Sequence, residues 1–256
     1  MRLIRSYAYL LFLCLSTTVI GLLGVPFMAY RPAAWQVAKL WARSNLCAAR
    51  WLCGVRSEVT GREHFATSPA IIAAKHQSMW ETLALTVELP RGAIVLKKEL
   101  KSIPMFGWWC QAVGFIFVDR DAGAKALRSM LTEAKTALED GASHIVIFPE
   151  GTRAAPGSHA PYQPGIAALA KSLNLPVVPV AHNSGSYWLT PGPEKIPGTI
   201  KMEVFPPLPA GLDRAALTEE LERTVENAVR RLEAEAPRGQ AGSNPPVSEG
   251  LPRHEH

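Results

Sequence analysis

The sequence has little cysteine, and the few cysteines show no spacing typical of a disulfide framework or a zinc site. The 256 residues include 4 cysteines: Cys14, Cys47, Cys53 and Cys110. None belongs to a C-x-x-C pair, so we expect reduced thiols that face the cytosol or the membrane. The sequence also lacks an H-E-x-x-H segment and a cluster of carboxylates, and it therefore predicts no metal site.

Two further absences exclude classes of protein. The formal net charge is +5, but the basic residues form no concentrated arm, so we expect no nucleic-acid partner. No G-x-S-x-G segment occurs, which argues against a serine nucleophile on a strand-to-helix elbow. With 48% hydrophobic residues, the chain has the size of one catalytic domain with attached segments.

The N-terminal segment is the most apolar part of the chain. Residues 6–30 contain no charged side chain, and a helix of that length, at about 1.5 Å per residue, is long enough to cross the roughly 30 Å hydrocarbon core of a bilayer. A cleaved signal peptide is the alternative, although the apolar part is long and no A-x-A site closes it. Gly21, Gly24 and Pro26 equally permit a kinked, re-entrant insertion. An uncleaved segment of either kind would hold the protein to a membrane.

A second helical segment, Ala33–Cys53, also favours a membrane interface. Plotted at about 100° per residue, its polar side chains fall into an arc of about 60°: Gln36, Lys39, Arg43 and Arg50. The rest of the segment is apolar and includes Trp35, Trp41 and Trp51. A narrow basic stripe on such a helix suits lipid headgroups. The alternative is a soluble helix with one solvated face.

After Gly54, short apolar runs alternate with helical stretches, which predicts an α/β fold with a mixed, largely parallel sheet flanked by helices. The predicted strands are Ala70–Ala74, Ala93–Leu96, Gly114–Val118, His144–Phe148, Pro176–Ala181 and Ile200–Phe205. Helices are predicted at Gly123–Glu139 and Gly165–Leu173, and a late helix begins at Asp213 and has an apolar stripe formed by Leu217, Leu221, Val225, Val229 and Leu232. We therefore expect a membrane anchor with an interfacial helix (1–54), an α/β domain (55–236) and a disordered tail (237–256).

Polar segments directly follow three of the predicted strands. They are KHQSMWE (75–81), DRD (119–121) and PEGTR (149–153). Ligands of α/β sheets usually bind where loops leave the carboxyl ends of strands, and unpaired polar groups would be costly to bury there. We therefore expect the three segments to form one site.

The first of these segments contains a candidate acid–base pair, His76 and Glu81. In a continuous helix the two side chains would lie about 140° apart, so the chain has to turn between them. Ser78 provides the turn, because S-M-W-E has the spacing of a capping box with Ser78 as the helix N-cap. A carboxylate beside an imidazole fixes its tautomer and stabilises the imidazolium, which makes His76 a candidate general base. Alternatively, Ser78 and Glu81 only cap the helix.

The segment PEGTR suits a phosphate group. Gly151 lets the backbone approach a ligand, Thr152 offers a hydroxyl, and Arg153 offers a fork of donors. Arg120 follows another strand, and two arginines bind one phosphate better than either does alone. The alternative is that both arginines form ion pairs with neighbouring carboxylates: Asp119, Asp121 or Glu150.

Four segments follow one another in the order of the four sequence blocks of the glycerolipid acyltransferases. They are KHQSMWE (75–81), KKELKSIPMFGWW with GFIFVDR (97–109 and 114–120), FPEGTR (148–153) and VVPVAHNSG (177–185). The chain between Val59 and Pro207 therefore resembles this family, and specifically its bacterial 1-acylglycerol-3-phosphate acyltransferases.

The resemblance implies that the domain 55–236 moves a fatty acyl group from a thioester, acyl-CoA or acyl carrier protein, to the free sn-2 hydroxyl of 1-acylglycerol 3-phosphate. The product would be phosphatidic acid, a precursor in phospholipid biosynthesis. His76 would be the base and Glu81 its orienting carboxylate, without a covalent acyl-enzyme or a cofactor. The acceptor phosphate would be held by Arg120, Gly151, Thr152, Arg153, Lys97 and Lys98, while Ser78 and Glu150 would organise turns. The enzyme would work at the bilayer of the cell inner membrane, with its catalytic domain on the cytoplasmic side.

The sequence departs from the family at Glu81, where the usual residue is an aspartate, one methylene shorter. This difference leaves open another acceptor, such as lyso-ornithine lipid. A thioester hydrolase and a membrane-anchored lipid-binding module without catalysis are further alternatives. The apolar stretch Lys101–Trp109 is equally consistent with an acyl-chain site and with the core.

Overall fold

The protein is described by a computed structural model over residues 1–119 and 122–236. Within these residues the strands are β1 (Val55–Thr60), β2 (Ala70–Ala74), β3 (Gly92–Lys97), β4 (Ile116–Val118), β5 (His144–Ile147), β6 (Val177–His182) and β7 (Gly198–Val204). The α-helices are α1 (Arg2–Gly24), α2 (Arg31–Cys53), α3 (Trp80–Glu88), α4 (Phe106–Ala112), α5 (Ala124–Glu139), α6 (Gly165–Leu173) and α7 (Arg214–Ala234).

The strands form one sheet in the order β1-β7-β6-β2-β5-β3-β4. Neighbouring strands are parallel except β6 and β7, which are antiparallel. The prediction of a mixed, largely parallel sheet is therefore confirmed. Short apolar runs between helices produce this arrangement because parallel strands need crossover connections, which place helices on both faces of the sheet.

The central strand β2 shows how the sheet divides the core. All five residues of AIIAA are buried, as expected for a strand covered on both faces. Ala70, Ile72 and Ala74 pack on the layer that contains α2 and α3. Ile71 and Ala73 point the other way, toward α5, α6 and α7. The domain is thus a sheet between two helical layers.

The N-terminal helices form a hairpin on one side of this domain. Helix α1 packs along α2, where Trp41 Nε1 donates a hydrogen bond to Thr17 Oγ1 at 3.0 Å. Near one end of α1, Ser6 Oγ accepts the Lys195 N–H at 3.0 Å. Near the other end, the Gly21 carbonyl accepts the Trp109 Nε1–H at 3.2 Å. Both ends of α1 therefore contact the α/β domain, so the helix lies alongside it.

Helix α1 remains long and apolar enough to cross a membrane, with a mean hydropathy of 2.2 over its most apolar part. Its outer face exposes large apolar side chains: Leu3, Ile4, Tyr7, Leu11, Leu15, Val19, Leu22 and Leu23. Helix α2 includes the predicted segment Ala33–Cys53, and Gln36, Arg43 and Arg50 of its basic stripe are exposed. On the apolar side of the helix, Trp35 is buried against Phe115.

Several predicted boundaries match the structure. Strand β2 and helix α6 have the predicted ends, and Asp213 is the N-cap of α7, where its carboxylate accepts the Ala216 N–H at 2.8 Å. Strand β4 begins later than predicted because Gly114, with φ of +78°, turns the chain after α4. Helix α4 itself was not predicted. The segment 237–256, for which we predicted disorder, lies outside the described residues.

Candidate active site

The predicted site segments meet at one edge of the sheet. Strands β2, β5, β3 and β4 are neighbours and run parallel, so their carboxyl ends lie side by side. KHQSMWE follows β2, PEGTR follows β5, and Lys97 and Lys98 stand at the end of β3. Arg120, which follows β4 in the sequence, lies outside the described residues. The sheet order thus explains why segments far apart in the chain converge.

His76 and Glu81 are in direct contact. His76 Nδ1 lies 2.8 Å from Glu81 Oε1, so the carboxylate accepts the Nδ1–H and leaves Nε2 to act as a base. The His76 ring stacks on Phe148, with centroids 4.2 Å apart, and its side chain is 14% exposed. The contact predicted from the spacing is therefore present, and the ring is held on two sides.

The turn between them is built by Ser78, as the spacing predicts, with one difference. Helix α3 begins at Trp80 and has Met79 at its N-cap position, one residue later than predicted. Ser78 Oγ accepts the Trp80 N–H at 3.0 Å, and Glu81 Oε1 accepts the Ser78 N–H at 2.9 Å. Both halves of a reciprocal cap are thus formed, and the same carboxylate orients His76. The capping and orienting roles of Glu81 do not exclude each other.

Glu81 is completely buried and ionised. Burial raises its pKa, but the hydrogen bonds from His76 and from the Ser78 N–H outweigh burial and lower the pKa to about 2. Burial lowers the pKa of His182 in spite of the nearby Glu81 carboxylate. The neutral His182 donates its Nε2–H to the Lys75 carbonyl at 2.8 Å. The negative charge of Glu81 is therefore stabilised mainly by donors that carry no permanent charge.

A buried ion-pair network behind His76 was not predicted. Lys75 Nζ lies 2.8 Å from Glu150 Oε1 and 2.9 Å from Glu226 Oε1, and the Lys75 side chain is 0% exposed. Tyr162 donates its hydroxyl to Glu226 at 2.9 Å; burial and the Glu226 charge raise its pKa, so the phenol stays protonated. In the sequence, this network is indicated only by Lys75, which follows a strand of apolar residues, and by Glu226, which lies beside the apolar stripe of α7.

Glu150 lies in the turn after β5 and links it to two other segments of the chain. Its Oε2 accepts the His76 N–H at 3.2 Å, and its Oε1 accepts the Ala160 N–H at 3.2 Å. Gly151 closes the same turn by donating its N–H to the Phe148 carbonyl, and its φ of +67° requires a glycine. Because Glu150 is occupied by Lys75 and His76, it is not an ion-pair partner for the arginine of PEGTR.

A cavity of about 470 Å³ lies beside His76. Lys97, Thr152 and Arg153 line it together with His76, whereas Gly151 and Lys98 are not among the described residues that do so. Lys98 Nζ instead lies 3.2 Å from Asp119 Oδ2. Within residues 1–119 and 122–236, no carboxylate lies within 4.0 Å of the Arg153 guanidinium. A cation without an ion-pair partner in this part of the chain thus faces the same space as the candidate base.

The rest of the cavity wall is mostly apolar and comes from several elements. The N-terminal hairpin supplies Thr17, Ile20, Gly21, Val37, Ala38 and Trp41. The stretch Lys101–Trp109, whose role the sequence left open between an acyl-chain site and the core, supplies Ile103, Phe106 and Trp109. Such a space, apolar along most of its wall and charged beside the base, suits a long hydrocarbon chain that ends in a reactive polar group.

Comparisons with known proteins agree with this geometry. A family model described as Acyltransferase matches residues 56–183. A 1-acyl-sn-glycerol-3-phosphate acyltransferase of Pseudomonas aeruginosa is 35% identical over 249 residues, which cover 96% of each chain. A 1-acyl-sn-glycerol-3-phosphate acyltransferase alpha of Mus musculus is 31% identical over 74% of this chain and 67% of its own. The crystal structure of the 1-acyl-sn-glycerophosphate (LPA) acyltransferase from Thermotoga maritima has the same fold, with a TM-score of 0.76 and 22% identity over 92% of this chain and 99% of that chain.

Replacing Lys75 by Met should lower the free energy of unfolding by about 3–5 kcal/mol, because two buried carboxylates lose their cation. Urea unfolding followed by tryptophan fluorescence measures the change. Lys201→Met is the matched control, since Lys201 Nζ lies 2.8 Å from Glu235 Oε2 but both side chains are about 40% exposed. We expect no measurable loss in the control. Equal losses in the two variants would show that the buried network does not stabilise the site.

Proposed function

The chain belongs to the acyltransferase family, and on that basis we propose that it transfers a fatty acyl group from an acyl thioester to the sn-2 hydroxyl of 1-acylglycerol 3-phosphate, giving phosphatidic acid. The observation that carries this proposal is the placement of His76, paired with Glu81, beside an apolar cavity that Arg153 also lines. Relatives that cover most of this chain and bear the name of this activity support it.

In the proposed reaction, His76 Nε2 removes the proton of the acceptor hydroxyl as its oxygen attacks the thioester carbonyl carbon. The new C–O bond forms, the carbonyl becomes an oxyanion, and Glu81 stabilises the imidazolium. Collapse of this intermediate breaks the C–S bond, and the imidazolium returns its proton to the departing thiolate. No acyl group is bound to the protein, because His76 serves only as a base. Donor and acceptor therefore have to be bound together, and the reaction needs no cofactor besides the acyl-CoA or acyl carrier protein thioester.

The acceptor phosphate is assigned to the charged part of the cavity wall. Arg153 and Lys97 line the cavity there, and Thr152 adds a hydroxyl. Arg120 is included on sequence grounds alone, as a second arginine for the same phosphate. Lys98 lies at the same strand end as Lys97 but forms an ion pair with Asp119, so its part in phosphate binding is proposed on sequence grounds alone. An arginine fork suits a phosphate better than a lysine does, so Arg153 is the principal binding residue.

The exposed face of α1 is assigned to the membrane. Both substrate and product are lipids, and a contiguous apolar helix face favours burial in a bilayer over exposure to water. Because both ends of α1 contact the α/β domain, we favour a helix that lies in the membrane surface rather than one that crosses it. We place the protein on the cytoplasmic side of the cell inner membrane, where acyl thioesters are available.

An acceptor panel tests the proposed function. The purified protein in detergent receives a labelled acyl thioester with 1-acylglycerol 3-phosphate, glycerol 3-phosphate or lyso-ornithine lipid, and the products are separated by chromatography. We expect labelled phosphatidic acid from the first acceptor and little product from the others. Preferential labelling of lyso-ornithine lipid, or release of free fatty acid without an acceptor, would replace the proposed activity by one of its alternatives.

His76→Ala should reduce transfer by about 10²–10⁴-fold, the usual effect of losing a general base. The fold should persist, because the side chain is partly exposed and its backbone bonds remain. His159→Ala provides a control, since His159 Nε2 also faces a glutamate, Glu222, at 3.3 Å but lies on the surface. Turnover of His76→Ala close to that of the wild type would remove His76 from the mechanism.

Arg153→Ala should raise the KM for 1-acylglycerol 3-phosphate by about 10- to 150-fold, since a charge-assisted hydrogen bond contributes about 1.5–3 kcal/mol. The KM for the thioester should scarcely change. Arg153→Lys should restore the acceptor KM only partly, and Arg223→Ala, which alters a surface pair with Glu220, should have no effect. A rise confined to the donor KM would instead assign Arg153 to the CoA or carrier-protein phosphate.

A further inference from the structure

The two oxygens of the Glu81 carboxylate share the Ser78 N–H, at 2.9 and 3.2 Å, and otherwise have different partners. Oε1 lies 2.8 Å from His76 Nδ1 and accepts the Gln77 and Ser78 N–H groups. Oε2 lies 2.8 Å from Ser78 Oγ and 3.0 Å from Ser184 Oγ. Ser184 follows β6, more than 100 residues further along the chain. We infer that Ser184 is a positioning residue for acyl transfer, whose hydroxyl holds the Glu81 carboxylate in the orientation that serves His76.

The backbone of Ser184 is held independently of this hydroxyl. Its N–H donates to His182 Nδ1 at 3.3 Å, and its carbonyl accepts the N–H groups of Tyr187 and Trp188 at 3.1 and 2.8 Å. The residue is 0% exposed, so its hydroxyl needs a partner within the protein. The partners of the Ser184 hydroxyl are Glu81 Oε2 and the Ser78 hydroxyl, which lies 2.8 Å away. Ser184→Ala would therefore remove a contact to Glu81 and leave the turn intact.

The charges around Glu81 explain why this contact affects the base. The titratable groups that face the carboxylate are His76 on the preceding loop and His182 on β6, whose Nε2 lies 4.0 Å from Oε2. No Lys or Arg of the described residues lies within 4.0 Å of it. Hydrogen bonds from hydroxyl and amide groups therefore stabilise the negative charge of the Glu81 carboxylate. Loss of the Ser184 hydroxyl leaves less restraint on the orientation of the carboxylate, so the His76 ring is aligned less well.

The contact with Ser184 also depends on the full length of the Glu81 side chain. The acyltransferases that this chain resembles usually carry an aspartate at this position, and an aspartate would withdraw the carboxylate by about one C–C bond, roughly 1.5 Å. At 3.0 Å in the present structure, the Ser184 hydroxyl would then lie beyond hydrogen-bond distance. We therefore expect Ser184 to matter when residue 81 is Glu and to lose its effect when residue 81 is Asp.

A double-mutant cycle tests this dependence with Ser184→Ala, Glu81→Asp and the combined variant. In the Glu81 protein, Ser184→Ala should lower kcat by about 10-fold, near the lower limit for a hydrogen bond to a charged group. The KM for 1-acylglycerol 3-phosphate should change by less than about 2-fold, because alignment of the base affects the chemical step and not the binding of the acceptor. In the Glu81→Asp protein, the same substitution should change kcat by less than about 2-fold. Ser186→Ala, in the same short turn, is the control and should match the wild type.

A second measurement needs no substrate, which matters because the inference rests on the proposed function. The rate of His76 modification by diethyl pyrocarbonate at one fixed pH, resolved by peptide mass spectrometry, should differ from that of the wild type in Ser184→Ala, because the ring is held less firmly, and should match the wild type in Ser186→Ala. If the wild type fails to acylate 1-acylglycerol 3-phosphate but the modification rate changes, the proposed function fails, while the role of Ser184 in orienting Glu81 and His76 stands. Equal kcat losses in the Glu81 and Glu81→Asp proteins, or an unchanged rate of His76 modification in Ser184→Ala, would overturn the inference. Ser184→Cys, a far weaker donor, replaces Ser184→Ala in both measurements if the alanine variant does not fold.

Discussion

The buried ammonium group of Lys75 is the constraint on which the geometry of the candidate site depends. Removing a cation from water costs several kcal/mol unless anions and hydrogen-bond acceptors replace the solvent. Here the replacements come from the turn after β5 and from α7, as Glu150 and Glu226. Because Glu150 also accepts the His76 N–H, neutralising Lys75 holds the loop of the candidate base against the turn that carries Arg153. One ion-pair network thus sets the distance between the two halves of the site.

The two buried carboxylates beside His76 have different electrostatic surroundings and therefore different tasks. Glu150 is paired with a permanent cation, so its charge is balanced at all stages of a reaction. Glu81 is surrounded by amides, hydroxyls and a neutral His182, so it gains an ionic partner only when His76 takes up a proton. A carboxylate in this state stabilises an imidazolium more than a fully neutralised one would. The pair of Lys75 and Glu150 keeps its charges throughout, whereas the pair of His76 and Glu81 becomes ionic only during the reaction. Because the two pairs are separate, proton uptake by His76 does not disturb the ion pair that holds its loop.

The parts of the site that could be predicted from the sequence are those set by local spacing. His76, Ser78 and Glu81 lie close together in the chain. The meeting of the polar segments at one edge of the sheet could be expected because it requires only that the neighbouring strands be parallel. Lys75 and Glu226 are 151 positions apart, and Glu81 and Ser184 are 103 apart; such pairs depend on strand order, which spacing does not reveal. Helix α4 was missed because its segment follows a proline, begins after a residue with positive φ, Met105, and shows no clear helical period.

The N-terminal hairpin joins the proposed membrane contact to the candidate site. One side of α1 exposes large apolar side chains, while the other contributes to the cavity wall. Gly21 and Gly24 make this close packing possible, since an added Cβ would come within 2.5 Å of Met105 and 2.6 Å of Trp109. Under the proposed function, an acyl chain that entered from the bilayer would reach a cavity whose wall is formed in part by the same helix that contacts the membrane. The proposed membrane contact and the cavity wall thus belong to one structural element, and a detached α/β domain would lose a wall of its cavity.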